Sequence, residues 1–189
     1  KKRQQILDSI LDLMLNTGID TTNETWDTLF SAVRFFLDDS GQKDGAKLSE
    51  KQLDILLDMI RIDITKAKEP TVKPFQLLHT LVERKVMTPQ IYDLVDKVRT
   101  ILLKVIDQSI QSQCINILSK FYLNYPFTPE VLQEHLNFLF KNVINEHLPF
   151  EGKLAIIRMI QTIIEQFPAD LLNDKVEYIF CPLILQLAN

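Results

Sequence analysis

The sequence has little glycine, little cysteine and no long apolar run, and each shortage excludes a class of protein. Four glycines and eight prolines in 189 residues are too few for a turn-rich all-β fold or a low-complexity chain. They also leave little for a backbone phosphate cradle, and neither GxxxxGKS/T nor GxGxxG occurs. GxSxG, HExxH and CxxC are missing as well. The two cysteines, Cys114 and Cys181, fall within apolar helical patterns. They read as reduced core thiols and not as a disulfide framework. The longest apolar run, Ile179 to Leu185, has seven residues, against about 18 for a transmembrane helix. No secretory leader is legible, so the expectation is no membrane partner and an intracellular, reducing compartment.

Positive charge is also short. Basic side chains number 21 and acidic ones 25, a net of −4. An autonomous nucleic-acid binder is usually basic, so any RNA contact has to come from a local patch. What is abundant is apolar surface: 46% of residues are hydrophobic and 24% charged, enough for a sizeable core in one or two domains.

The apolar residues recur at helical spacing. Ile6, Leu7, Ile10, Leu11, Met14 and Leu15 mark a helix over 2–16, ended by Asn16-Thr17-Gly18. Thr21 and Glu24 have capping-box spacing before a second helix carrying Trp26, Leu29, Phe30, Val33, Phe36 and Leu37. A polar loop over 38–48 follows. Ser49 and Gln52 form another capping box, ahead of a helix with Leu53, Leu56, Leu57, Ile60, Ile62 and Ile64 as core candidates. After the rigid connector EPTVKP, a helix is expected from Pro74.

From there a period emerges. Thr88-Pro89 and Thr128-Pro129 are helix starts 40 residues apart, and Tyr125-Pro126 and Phe167-Pro168 are helix ends 42 residues apart. In the 40-residue register Ile91, Tyr92, Val95 and Val98 fall opposite Val131, Leu132, His135 and Phe138. Further helices are expected over 109–124 and 149–167, with a last one from near Asn173 that contains Pro182. A helical period of about 40–47 residues is the signature of HEAT or armadillo arrays. The expected fold is therefore all-α, a HEAT/armadillo-like α-solenoid of antiparallel helical hairpins, with a closed helical bundle as the alternative. Residues 1–70 form hairpins with the 38–48 loop, and 71–189 form HEAT-like repeats of about 40–42 residues. The sequence opens KKRQQ and closes LILQLAN, without the polar outer face of a terminal repeat. A piece of a longer array is expected.

Candidate chemistry is sparse. His79 and His135 lie in helices without a second ligand at i+4, and His147 lies at a helix end. All three read as satisfied or surface histidines. Asp38, Ser40, Gln42 and Asp44 alternate, but glycine and glutamate are out of register for a calcium loop. Acidic pairs such as Glu130 and Glu134 read as a solvated helix face. No catalytic residue, cofactor, metal or small-molecule substrate is expected. Lys66, Lys68 and Lys73 cluster around the third connector, with Arg84, Lys85, Lys97, Arg99 and Lys104 beyond. These are either ordinary surface and helix-end cations, the commoner case, or contacts to RNA phosphate. Tyr122 and Tyr125 offer stacking surface, although Tyr125 also suits a packed Tyr-Pro corner.

The stretch NYPFTPEVLQEHLNFLFKNV (124–143), its return in QFPADLLNDKVEYIFCPLILQLAN (166–189) and the upstream VERKVMTPQIYDLVDKV (82–98) resemble one family. It is the large HEAT-repeat component of the small-subunit processome, the down-regulated-in-metastasis or Utp-twenty family. The resemblance covers about 74–189. It implies a non-catalytic nucleolar scaffold needed for precursor rRNA processing. The implied partners are processome proteins, precursor ribosomal RNA and small nucleolar RNA. Other HEAT scaffolds, such as transport receptors and phosphatase scaffolds, share the same grammar and differ only in family.

Overall fold

The computed structural model describes residues 2–16, 23–38, 47–66 and 70–187. The Thr21 capping residue, the Gly18 stop and most of the 38–48 loop, with its calcium-like pattern, lie outside these. The described residues form ten α-helices and no strand. In order they are α1 (Lys2–Asn16), α2 (Asn23–Leu37), α3 (Glu50–Lys66), α4 (Val72–Glu83) and α5 (Pro89–Leu102). Then come α6 (Gln108–Asn124), α7 (Pro129–Val143), α8 (Phe150–Gln166), the single turn α9 (Ala169–Leu172) and α10 (Val176–Leu187). Two compact units divide them, Lys1–Leu94 and Val95–Asn189.

In the first unit α1 packs on α2, and α4 packs on both α2 and α3. The α4 sequence VKPFQLLHTLVE is apolar on nearly every side, as a helix must be when it has neighbours on several faces. Phe75, Leu77, Leu78, Leu81 and Val82 are all fully buried. The partners supply stripes at i, i+3, i+4 spacing: Leu7, Leu11 and Met14 from α1, Phe30, Val33 and Leu37 from α2, and Leu56, Leu57, Ile60 and Ile64 from α3. Ile6, Leu15 and Ile62, expected in the core, are exposed because they lie off those stripes. The Ser49 capping box forms: Ser49 N–H donates to Gln52 Oε1 at 2.9 Å, and Gln52 N–H donates to Ser49 Oγ at 3.3 Å. Gln52 Nε2 also donates to Asp8 Oδ1 at 3.0 Å, tying this cap to α1.

Helix α4 starts at Val72, not at the expected Pro74, which stands in its first turn. The first four N–H groups of a helix have no intrahelical partner, so proline loses nothing there. The helix ends in a Schellman motif. Val86 N–H donates to Leu81 O at 3.2 Å and Lys85 N–H to Val82 O at 2.9 Å, with Lys85 at φ 56°.

In the second unit α8 packs on α6 and α7, and α10 packs on α7. Ile117 and Leu118 of α6, Leu136, Leu139 and Val143 of α7, and Ile156, Met159, Ile160 and Ile163 of α8 form the core. Helix α6 is capped by Asp107, whose carboxylate accepts from the N–H groups of Ser109 (2.7 Å) and Ile110 (3.0 Å). Gly152, in the first turn of α8, lies against the α5–α6 loop. A Cβ there would stand 2.5 Å from the Leu103 carbonyl oxygen. Buried Gln111 reinforces this junction by donating to Val105 O at 2.8 Å and Glu151 O at 3.4 Å. The last helix begins at Val176, after the short α9, instead of near Asn173.

Candidate interaction surfaces

Lys66 is the last residue of α3, and Lys73 is half-buried in the first turn of α4. Lys68 lies outside the described residues. Arg3, Arg84 and Arg99 are committed to the fold. A helix leaves its last four carbonyls without intrahelical partners, and at the end of α2 two guanidinium groups meet them. Arg3 donates to Phe35 O (3.0 Å), Phe36 O (3.2 Å) and Asp38 O (2.9 Å). Arg84 donates to Leu37 O at 2.6 Å. Both cations also complement the negative end of the helix dipole. In the second unit Arg99 pairs with Asp96, lies 4.6 Å from the Phe138 ring centroid and bonds the Tyr122 hydroxyl. Of the further basic residues in the sequence pattern, Lys85 serves the α4 cap, Lys97 is half-buried and Lys104 is exposed.

The histidines differ from expectation at one position. His79 is half-buried, and His147 is exposed. His135 is fully buried, and neither ring nitrogen has a hydrogen-bond partner. Its ring stacks on Tyr122 with centroids 4.2 Å apart and an interplanar angle of 21°. Burial, helped by the Arg99 charge, pushes its pKa down to about 3. Burial likewise pushes the Tyr122 hydroxyl up to about 12, against the opposing pull of Arg99. Cys114 is buried, and its thiol pKa is raised by that burial. Cys181, expected in the core, is exposed. Ile179 points inward, and two residues further on at roughly 100° each the side chain faces away. Among the described residues no group of three or more His, Cys, Asp or Glu is placed to hold a metal ion. Among them, too, no helix is long and apolar enough to cross a membrane.

The Tyr-Pro corner between α6 and α7 is the most distinctive feature. Phe121 gathers Tyr125 and Phe127 at centroid distances of 4.6 and 4.8 Å, and Tyr122 meets Phe127 at 5.5 Å. Tyr125 is buried, so it packs as a corner residue and offers no open stacking face. Beside the cluster lies a cavity of about 360 Å³, bounded by Tyr122, Phe127, Leu132, Leu171, Asp174 and Lys175 among others. Lys175 is only 6% exposed, and its Nζ donates to Asp174 Oδ1 at 2.7 Å. That contact holds the Asp174 carboxyl below the usual carboxylate range. The sequence pattern places Lys175 in the first turn of a helix expected from near Asn173, and nothing local marks this lysine as buried.

The helices and their hairpin pairing define an all-α protein of the helical-repeat solenoid class. No protein-family model matches the chain. Over 146 residues, 77% of its length, the chain is 27% identical to the U3 small nucleolar RNA-associated protein 20 of Schizosaccharomyces pombe. It spans about 6% of the length of that curated relative. This similarity points the same way as the family resemblance carried by the Tyr-Pro and Phe-Pro corners.

Proposed function

We propose that this chain is an interior segment of a non-catalytic helical-repeat scaffold of the nucleolar small-subunit processome, required for precursor rRNA processing and small-subunit biogenesis. The observation that carries the reading is the similarity to a U3 small nucleolar RNA-associated protein over 77% of the chain. The mechanism is positional. Hairpins whose cores are filled by aliphatic stripes present their outer faces to partners. Those partners are processome proteins, with precursor ribosomal RNA and small nucleolar RNA in the same particle. Within that role the lysines of the α3–α4 connector, Lys66, Lys68 and Lys73, are the residues assigned to RNA phosphate. Charge reversal at all three is expected to weaken RNA binding and flatten its salt dependence. Unchanged binding leaves them as ordinary surface cations.

Immunoprecipitation of the full-length protein tests the reading directly. Co-purification of small nucleolar RNA and precursor ribosomal RNA is expected. Recovery of nuclear-pore or phosphatase subunits in their place assigns the chain to another scaffold class.

A further inference from the structure

The α6–α7 corner and the α9–α10 turn bound an open cavity whose walls are apolar and aromatic: Tyr122, Tyr125, Phe127, Leu132 and Leu171. Leu171 is 41% exposed and Phe127 half-buried, so the apolar surface extends to the mouth. The volume, about 360 Å³, falls in the range of cavities that bind ligands, and it accommodates a large side chain. The rim has a definite sign. Asp170 and Asp174 line it, and both are exposed. Glu130 stands two residues beyond Thr128, which also lines the cavity. The Thr128 side chain, the Glu130 backbone N–H and nearby Lys175 lower the pKa of its carboxyl. Two carboxylates therefore line the cavity beside one cation, and that cation, Lys175, is buried against Asp174. The unit as a whole, 95–189, has eight basic and ten acidic side chains. A nucleic-acid backbone would meet repulsion here.

We propose that this cavity is a docking site for a protein segment in which an aromatic or leucine side chain is flanked by arginine or lysine. The apolar side chain fills the cavity against Phe127 and Leu171, as a single anchoring residue does in many interfaces. Its basic neighbour meets Asp170 and Glu130 at the rim, where opposite charge sets orientation and partner choice. This assignment is independent of the RNA contact given above to the α3–α4 connector of the other unit.

Panning the 189-residue chain against a phage-displayed random-peptide library tests the site. Enriched peptides are then made with a fluorescent label and titrated by polarisation. They are expected to carry arginine or lysine beside an aromatic residue or leucine. Asp170→Lys and Leu171→Ser are each expected to weaken them by about tenfold, with the far-UV circular dichroism unchanged. Glu130→Lys, at a fully exposed position, serves as a third variant should either of the others fail to fold. Four results overturn the proposal: no enrichment, enrichment of acidic peptides, affinities unchanged in the folded variants, or displacement of the peptides by polyuridylate RNA.

Discussion

Acidification provides a sharp test of how the second unit is packed, through His135. In the folded chain this imidazole is fully buried, stacked on Tyr122 and close to the Arg99 charge, and its pKa is about 3. In the unfolded chain it titrates near its ordinary value of 6.5. The unfolded state therefore binds one more proton as pH falls through that interval. Since the folded value is the depressed one, stability is complete above about 6.5 and is lost progressively below it. The slope is about 1.4 kcal/mol per pH unit. Between about pH 6.5 and pH 4.5 the loss from this one group is about 2 kcal/mol. The test compares urea unfolding of the wild type with His135→Phe, which keeps a ring against Tyr122 but cannot titrate. Carboxylates common to both proteins cancel in the comparison. At neutral pH the variant is also expected to be more stable, by about 1–3 kcal/mol, because two buried nitrogens without partners are removed. Parallel pH dependences for the two proteins, or a ring resonance titrating near its ordinary value, would refute the reasoning.

Three further substitutions probe the packing. Gly152→Ala gains about 1 kcal/mol of helix propensity, but its Cβ meets the Leu103 carbonyl at 2.5 Å, an overpacking that costs about 1–3 kcal/mol. A lower thermal midpoint is expected. Lys85→Gly relieves the left-handed conformation at φ 56° and is expected to raise the urea midpoint by the equivalent of about 0.5–1 kcal/mol. Arg84→Ala leaves the Leu37 carbonyl without its charged donor and is expected to cost about 1–2 kcal/mol. Fluorescence of Trp26, in the first turn of α2, follows the unfolding.

Much of this architecture was legible because it depends on local chemistry. The Ser49–Gln52 box and the Thr128-Pro129 start announce themselves through residue type and spacing, and α7 begins where the pattern places it. The aliphatic stripes of α2 and α3 were equally clear. What could not be read depends on which side of a helix meets a neighbour. Ile6, Leu15 and Ile62 match the helical period as well as their buried counterparts do, yet they lie off the packed stripe. Arg3 and Arg84 look like surface cations until α2 brings its carbonyls to them. His135 was legible in one respect. The 40-residue register sets it opposite Val95, which is a buried position. Read by residue type it is a polar group seeking partners, and read by register it is core. The cavity beside Lys175 had no sequence signal, because it is lined by residues from 122 to 175 that only the fold assembles.

The likeness of this chain to a U3 small nucleolar RNA-associated protein is tested most directly by depletion of the full-length protein. Hybridisation probes for small- and large-subunit ribosomal RNA would be followed after depletion. The expected result is accumulation of unprocessed precursor and loss of mature small-subunit RNA, with large-subunit RNA maintained. Normal processing of both, in cells shown to lack the protein, would contradict it.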